Sequence, residues 1–159
     1  MATFAEFITG LEKAFDLKLA QNVANNAVGL GLDDGSVVNI EQFPEGEAVH
    51  LHCDLGNIPL DVRPLMLMSL MAAHTCGIVT QGCYFGFEPQ RESLVLFRSL
   101  PMRGLPAEAF VELAGHFVQQ VRHWRAALPG LYEDTRQQLA GGAQQGGTQP
   151  SDAPGMLKI

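Results

Sequence analysis

The most constraining feature of the sequence is an apolar segment, residues 64–74, that holds no charged residue and no polar stripe. A helix that is apolar all round must remove both of its faces from water. One face can pack on the protein's own sheet, whereas the other needs a partner, so we predict a homodimer built on this helix. The alternative is burial beneath another helix in a monomer. The predicted interface residues, on this helix and just after it, are Leu67, Met68, Met71, Phe85 and Phe87.

Hydrophobic periodicity predicts the first half of the chain. Apolar residues recur every three or four positions in residues 4–17, which predicts an amphipathic helix with a capping box at Thr3. The period changes to two in residues 26–32, 37–41 and 49–54. These three segments predict an antiparallel meander.

A hairpin and a long helix follow the apolar segment. Residues 82–87 and 93–98 are two apolar runs separated by a turn-forming stretch. Pro106 opens a helix whose apolar stripe ends at Pro129 and Gly130, which are expected to terminate it. The predicted class is therefore α+β, with three helices packed on a twisted, mostly antiparallel sheet in the order α-β-β-β-α-β-β-α.

The chain length of 159 residues fits one domain with a single core. Because the third helix is expected to end at Pro129 and Gly130, we predict a domain at 1–130 and a C-terminal extension at 131–159. Gly and Gln dominate residues 141–149, which offer too little apolar surface to offset ordering entropy. The extension is expected to be largely disordered after about residue 139.

Composition and charge exclude several classes of protein. No apolar run reaches the roughly 18 residues of a membrane helix, and the first residues do not form a secretory signal, so we expect a cytoplasmic protein without membrane insertion. Three cysteines without a CxxC pair indicate buried, reduced thiols. Residues 1–62 hold two basic and ten acidic side chains, a balance that repels nucleic acid and can attract a basic partner.

A search of the sequence for catalytic chemistry leaves one alternative function. His50 and His52 share one face of a predicted strand, so a small β-domain that binds a metal or small ligand through them is an alternative function. Ser69 lies inside the apolar helix, without a nucleophile elbow. The glycines of residues 29–35 lead into a turn instead of a phosphate-binding helix. We therefore predict no catalytic residues, no metal and no cofactor.

Most of residues 3–128 resembles the class I chaperones of bacterial type III secretion, the Tir-chaperone or CesT-like family, and the resemblance is densest from Leu67 to Arg125. The resemblance rests on Leu67, Leu70 and Gly77, the runs TQGCYFGFE at 80–88 and LVLFRSLP at 94–101, and Phe110, Phe117, Val121 and Trp124. It implies an α/β homodimer that binds the N-terminal chaperone-binding segment of one or more effectors. It also implies that the protein keeps effectors secretion-competent, delivers them to the export ATPase and catalyses no reaction.

An effector segment that is threaded through the export apparatus must be extended. An extended chain is readily bound when it adds a strand to a sheet edge while its alternate side chains enter pockets. The first helix and the meander supply such an edge. The predicted effector-binding residues are Phe4, Ile8, Val28, Leu30, Leu32, Val38 and Ile40. For each of them the alternative is an ordinary place in the core. A dimeric module that sequesters a secretion regulator is a third hypothesis, which shares this fold.

Overall fold

The computed structural model describes residues 2–22, 26–43 and 46–144 of the chain. Its elements, in chain order, are α1 (Phe4–Phe15), β1 (Ala20–Asn22), β2 (Ala27–Gly31), β3 (Val37–Gln42), β4 (Ala48–Asn57), α2 (Arg63–Ala73), β5 (Tyr84–Glu88), β6 (Ser93–Pro101) and α3 (Ala107–Gln144). The predicted α+β class and order of elements are confirmed. One short strand, β1, precedes the predicted meander.

The strands form one antiparallel sheet in the order β1-β2-β3-β4-β6-β5. Val28 pairs with Ile40, which pairs with Leu51, so the buried positions of three strands form one row. The pairing of β4 with β6 shifts between Asp54 and Gly56. Strands β1 and β5 are the two edges of the sheet.

Helices α1 and α3 pack together against one face of this sheet. The predicted cap of α1 is present: the backbone N–H of Thr3 donates to Glu6 Oε2 at 2.7 Å, and the N–H of Glu6 donates to Thr3 Oγ1 at 3.3 Å. Phe7 and Phe110 are fully buried, and their rings stack with centroids 4.5 Å apart. This contact joins the two helices at the centre of the core.

The prediction that Pro129 and Gly130 terminate the third helix is wrong, because α3 continues through them to Gln144. A proline inside a helix costs about 3 kcal/mol. Contacts made by the next turns favour the continued helix: Thr135 is buried with Oγ1 3.1 Å from Sδ of Met66, and Arg136 Nε lies 2.6 Å from Asp61 Oδ2. Helix α3 thus crosses the predicted boundary at residue 130, and residues 145–159 lie outside the described part of the chain.

Helix α2 begins at Arg63 with Pro64 in its first turn, where a missing N–H costs little. Its inner residues Met66 and Leu70 are buried in the core, whereas Met68 and Met71 on its outer face are 68% and 63% exposed. Within the described residues, none of the helices is long and apolar enough to span a membrane.

Candidate functional site

An open apolar cavity of about 320 Å³ lies between α1, β2 and α3, and we call it the α1–α3 groove. Phe15 is 47% exposed although it is a large hydrophobic residue, so the groove opens to solvent. Three polar side chains, those of Asp33, Gln119 and Arg122, complete its lining. The rest of the lining consists of Leu11, Phe15, Leu17, Leu30, Gly31, Leu32, Ala114, Gly115 and Val118.

The space in the groove depends on a glycine within α3. A Cβ built on Gly115 would lie 3.6 Å from Cζ of Phe15, an ordinary van der Waals distance, and no other heavy atom outside its chain neighbours and the neighbouring helix backbone is within 4 Å. Glycine is unfavourable inside a helix by about 1 kcal/mol relative to alanine. Gly115 therefore leaves room over the Phe15 ring where most helical residues would place a side chain.

Ion pairs fasten the turn between β2 and β3 to α3 beside the groove. Asp33 Oδ2 lies 3.2 Å from Arg122 Nη2, and Asp34 Oδ2 lies 3.0 Å from Arg125 Nε. Hydrogen bonds from Ser36, with a further contribution from Arg125, hold the pKa of the Asp34 carboxyl below its usual value. These pairs hold Leu32 and Asp33 next to the last turns of α3 that line the groove.

The structure brings two of the predicted effector-binding residues together, because Leu30 and Leu32 both line the α1–α3 groove. Phe4 lines a separate cavity of about 430 Å³ near Met102. The other four lie in the hydrophobic core, where their side chains are at most 5% exposed: Ile8, Val28, Val38 and Ile40. Effector binding by these seven residues stays a prediction.

Sequence reasoning missed most of the lining residues, among them Phe15, Leu17, Gly115 and Val118. Leu17 follows Asp16, whose φ of 51° ends α1, so an apolar residue just beyond a helix end was the available signal. Nothing in the sequence distinguishes Phe15, which remains half-exposed, from the buried members of the same stripe.

A second apolar surface follows from the exposed side of α2. We call it the α2 surface and define it as Met68, Met71, Ile78 and Val79, of which Ile78 is the most exposed at 80%. Among the predicted interface residues, Met68 and Met71 lie on this surface. Leu67 and Phe87 are partly buried against the core, and Phe85 is buried with its ring 4.8 Å from that of Trp124.

A tight loop carries the chain from α2 to β5 and leaves Ile78 and Val79 outside the core. Cys76 has a φ of 60°, and a hydrogen bond from the N–H of Phe85 to Nδ1 of His74 closes the loop at 3.0 Å. Cys53 and Cys83 are buried as predicted, and burial raises the pKa of both thiols. Cys76 is exposed, so the prediction of buried cysteines is wrong at this position.

The face of the sheet away from the helices is open, and we call it the outer sheet face. It is defined by Val37, Asn39, Glu41, Phe43, His50, His52, Asp54, Tyr84, Glu88, Val95 and Phe97, none of which is buried. Nε2 of His52 lies 3.4 Å from Oε1 of Glu41. The ring of His50 lies 4.8 Å from that of Phe43.

The alternative of a metal site at His50 and His52 finds no support in this geometry. Cys53, the next residue along β4, is buried in the core on the opposite side of the strand. Residues 2–22, 26–43 and 46–144 contain no group of three potential His, Cys, Asp or Glu ligands. These two histidines instead lie among the side chains of an open sheet face.

The sequence model of the Tir chaperone protein (CesT) family matches residues 6–125. The chain belongs to this family. The resemblance, which covers most of residues 3–128, is thereby confirmed. The matched segment contains most of α1, all of α2 and the whole sheet, whereas the last turns of α3, after residue 125, extend past it. No curated protein sequence matches the chain.

Solved structures confirm the family fold at low sequence identity. A chain in the complex of the Yersinia pestis type III secretion chaperone SycH with a fragment of YscM2 is 10% identical, with a TM-score of 0.61 over 76% of this chain and 98% of that chain. A chain in the ExsC–ExsE complex is 16% identical, with a TM-score of 0.60 over 79% of this chain and 96% of that chain. The ExoU–SpcU complex from the type III secretion system of Pseudomonas aeruginosa contains a chain that is 14% identical. Its TM-score is 0.58 over 76% of this chain and 92% of that chain.

Proposed function

We propose that this protein is a cytoplasmic type III secretion chaperone that binds the N-terminal segment of one or more effectors. It keeps them secretion-competent and helps to deliver them to the export ATPase. The observation that carries the proposal is the α1–α3 groove, an open apolar cavity in a chain of the Tir chaperone family. In this proposal the protein binds and releases polypeptide and catalyses no reaction.

The groove suits a large apolar side chain of the bound segment. Its apolar lining is partly exposed in the free protein, and burying one large apolar side chain stabilises a complex by about 1.5–3 kcal/mol. Strand β1 is a sheet edge joined to α1 by only a few residues. An extended effector segment that pairs with this edge can place alternate side chains toward the groove.

The acidic residues beside the groove contribute little free charge. Asp33 and Asp34 are each paired with an arginine of α3, so electrostatic steering of a basic effector by these two carboxylates is weak. Apolar burial therefore dominates binding at the groove. Steering of a basic segment falls to the other carboxylates of the acidic N-terminal half.

The same proposal includes a homodimer formed through the α2 surface. Met68, Met71, Ile78 and Val79 are the exposed apolar side chains of one helix and the loop after it. Exposed apolar side chains grouped in this way mark interaction sites on soluble proteins. A two-fold axis near α2 brings this surface against its own copy and removes both from water.

The test is capture of effectors from the native cytoplasm by the full-length protein, followed by mass spectrometry of the bound chains. Phe15→Ser removes an exposed ring from the groove and is expected to reduce capture about tenfold. The matched control is Leu139→Ser, which removes a side chain of equal exposure, 47%, from the far end of α3. Equal capture by both folded variants would show that the groove does not bind the effector.

A further inference from the structure

The outer sheet face carries fixed charges of one sign. Its ionised side chains are the carboxylates of Glu41, Asp54 and Glu88. Strands β2–β6, all of which the structure describes, contain a single Lys or Arg, Arg98, and their two histidines are His50 and His52. Arg98 occupies a position of the helix-covered side, with its guanidinium against Gly82. The carboxylates of the outer sheet face therefore lie on three of its strands, β3, β4 and β5, and no Lys or Arg lies among them.

Aromatic rings lie among these carboxylates. In the pairing of the strands, Phe97 stands between His52 on β4 and Tyr84 on β5. The ring centroids of Tyr84 and Phe97 are 5.8 Å apart, and Phe43 lies against His50 near Glu41. A lysine or arginine placed over such a ring gains a cation–π attraction in addition to its attraction to the carboxylates.

The charge pattern decides between occupants of this face. A second copy bound through the same face would bring Glu41, Asp54 and Glu88 toward their own equivalents, and like charges brought together across an interface are unfavourable. An acidic segment would be repelled by these carboxylates, and a neutral segment would gain no charge pairing from them. A basic segment pairs with them, and its apolar residues can cover Val37 and Phe97.

We propose that the outer sheet face is a docking site for a protein segment in which Lys or Arg side chains alternate with apolar ones. This site is separate from the α1–α3 groove, because the groove lies on the helix-covered side of the sheet. An extended segment presents alternate residues to the same side, so one strand of the partner can offer both kinds of side chain to the face.

The test measures binding of a synthetic peptide with alternating Arg and Val residues to the full-length protein by titration calorimetry. The double variant Glu41→Gln with Asp54→Asn removes two carboxylates from the face and is expected to weaken binding about fivefold to tenfold. The matched control, Glu112→Gln with Asp134→Asn, removes two exposed carboxylates from α3 and makes the net charge less negative by the same amount. It is expected to leave binding unchanged.

A third variant separates the aromatic contribution from the charge. Tyr84→Thr keeps every carboxylate and is also expected to weaken peptide binding, since a cation over its ring is lost. Binding by the native protein should fall as the salt concentration rises from about 0.05 to 0.5 M, because salt screens exposed charges. The melting temperature of each variant confirms that it remains folded.

Equal weakening by both double variants would overturn the proposal, because it would show that the peptide responds only to net charge. Light scattering of the free protein supplies a further check. Dissociation of an oligomer by Tyr84→Thr would show that a second copy occupies the face, which also contradicts the proposal. If a variant of the outer sheet face loses peptide binding but still captures effectors, the proposed chaperone function is unaffected.

Discussion

Substitution of Gly115 separates the groove's contribution to stability from its contribution to binding. Gly115→Ala adds a Cβ at an ordinary 3.6 Å from the Phe15 ring, so the variant introduces no clash. Alanine is favoured over glycine inside a helix by about 1 kcal/mol. We expect the free energy of unfolding to rise by about 0.5–1 kcal/mol and the melting temperature by about 2–4 °C.

Gly115→Met has the opposite consequence for binding. Methionine is also a good helix former, but its side chain extends into the space over Phe15 that a bound apolar residue would occupy. Loss of about 1.5–3 kcal/mol of apolar burial corresponds to roughly tenfold to more than a hundredfold weaker effector capture. Calorimetric melting and quantitative capture measure the two effects. A stable Met variant that captures effectors as tightly as the native protein would refute the reasoning.

Other predictions follow from the α2 surface and the ion pairs. Met68→Glu places an unpaired charge in the proposed dimer interface, so light scattering should show a shift toward monomer; an unchanged dimer would place the interface elsewhere. Arg136 holds the pKa of Asp61 below its ordinary 3.8. This ion pair therefore stabilises the fold at a pH above 3.8, and the stabilisation is lost as the pH falls through the lowered pKa. Asp61→Asn should therefore flatten the acid limb of the stability profile, and an unchanged limb would show that the pair contributes nothing.

Local patterns predicted the elements whose boundaries depend on nearby residues. The capping box of α1, the meander and the hairpin follow from spacings of two to four residues, and the structure contains them. The continuation of α3 depends instead on Thr135 and Arg136 meeting residues about 70 positions earlier in the chain. Strand β1, with the sequence AQN, has too few residues to show an alternating pattern.

The site was only partly predictable for a related reason. Periodicity identifies the apolar side of a helix or strand, but it does not tell which of those residues another element covers. Ile8 and Phe15 belong to the same stripe of α1, yet the first is buried and the second is half-exposed. Leu30 and Leu32, which the strand alternation indicates, line the groove because their strand ends beside it.

Hydrogen exchange of the full-length protein, free and bound to a captured effector, tests the chaperone proposal most directly. If an effector segment pairs with the sheet edge and fills the groove, amide exchange should slow in β1 and around Phe15 and Leu17. The helix-covered centre of the sheet should show no change. Protection confined to β5 and the outer sheet face, with β1 and the end of α1 unaffected, would contradict effector binding at the α1–α3 groove.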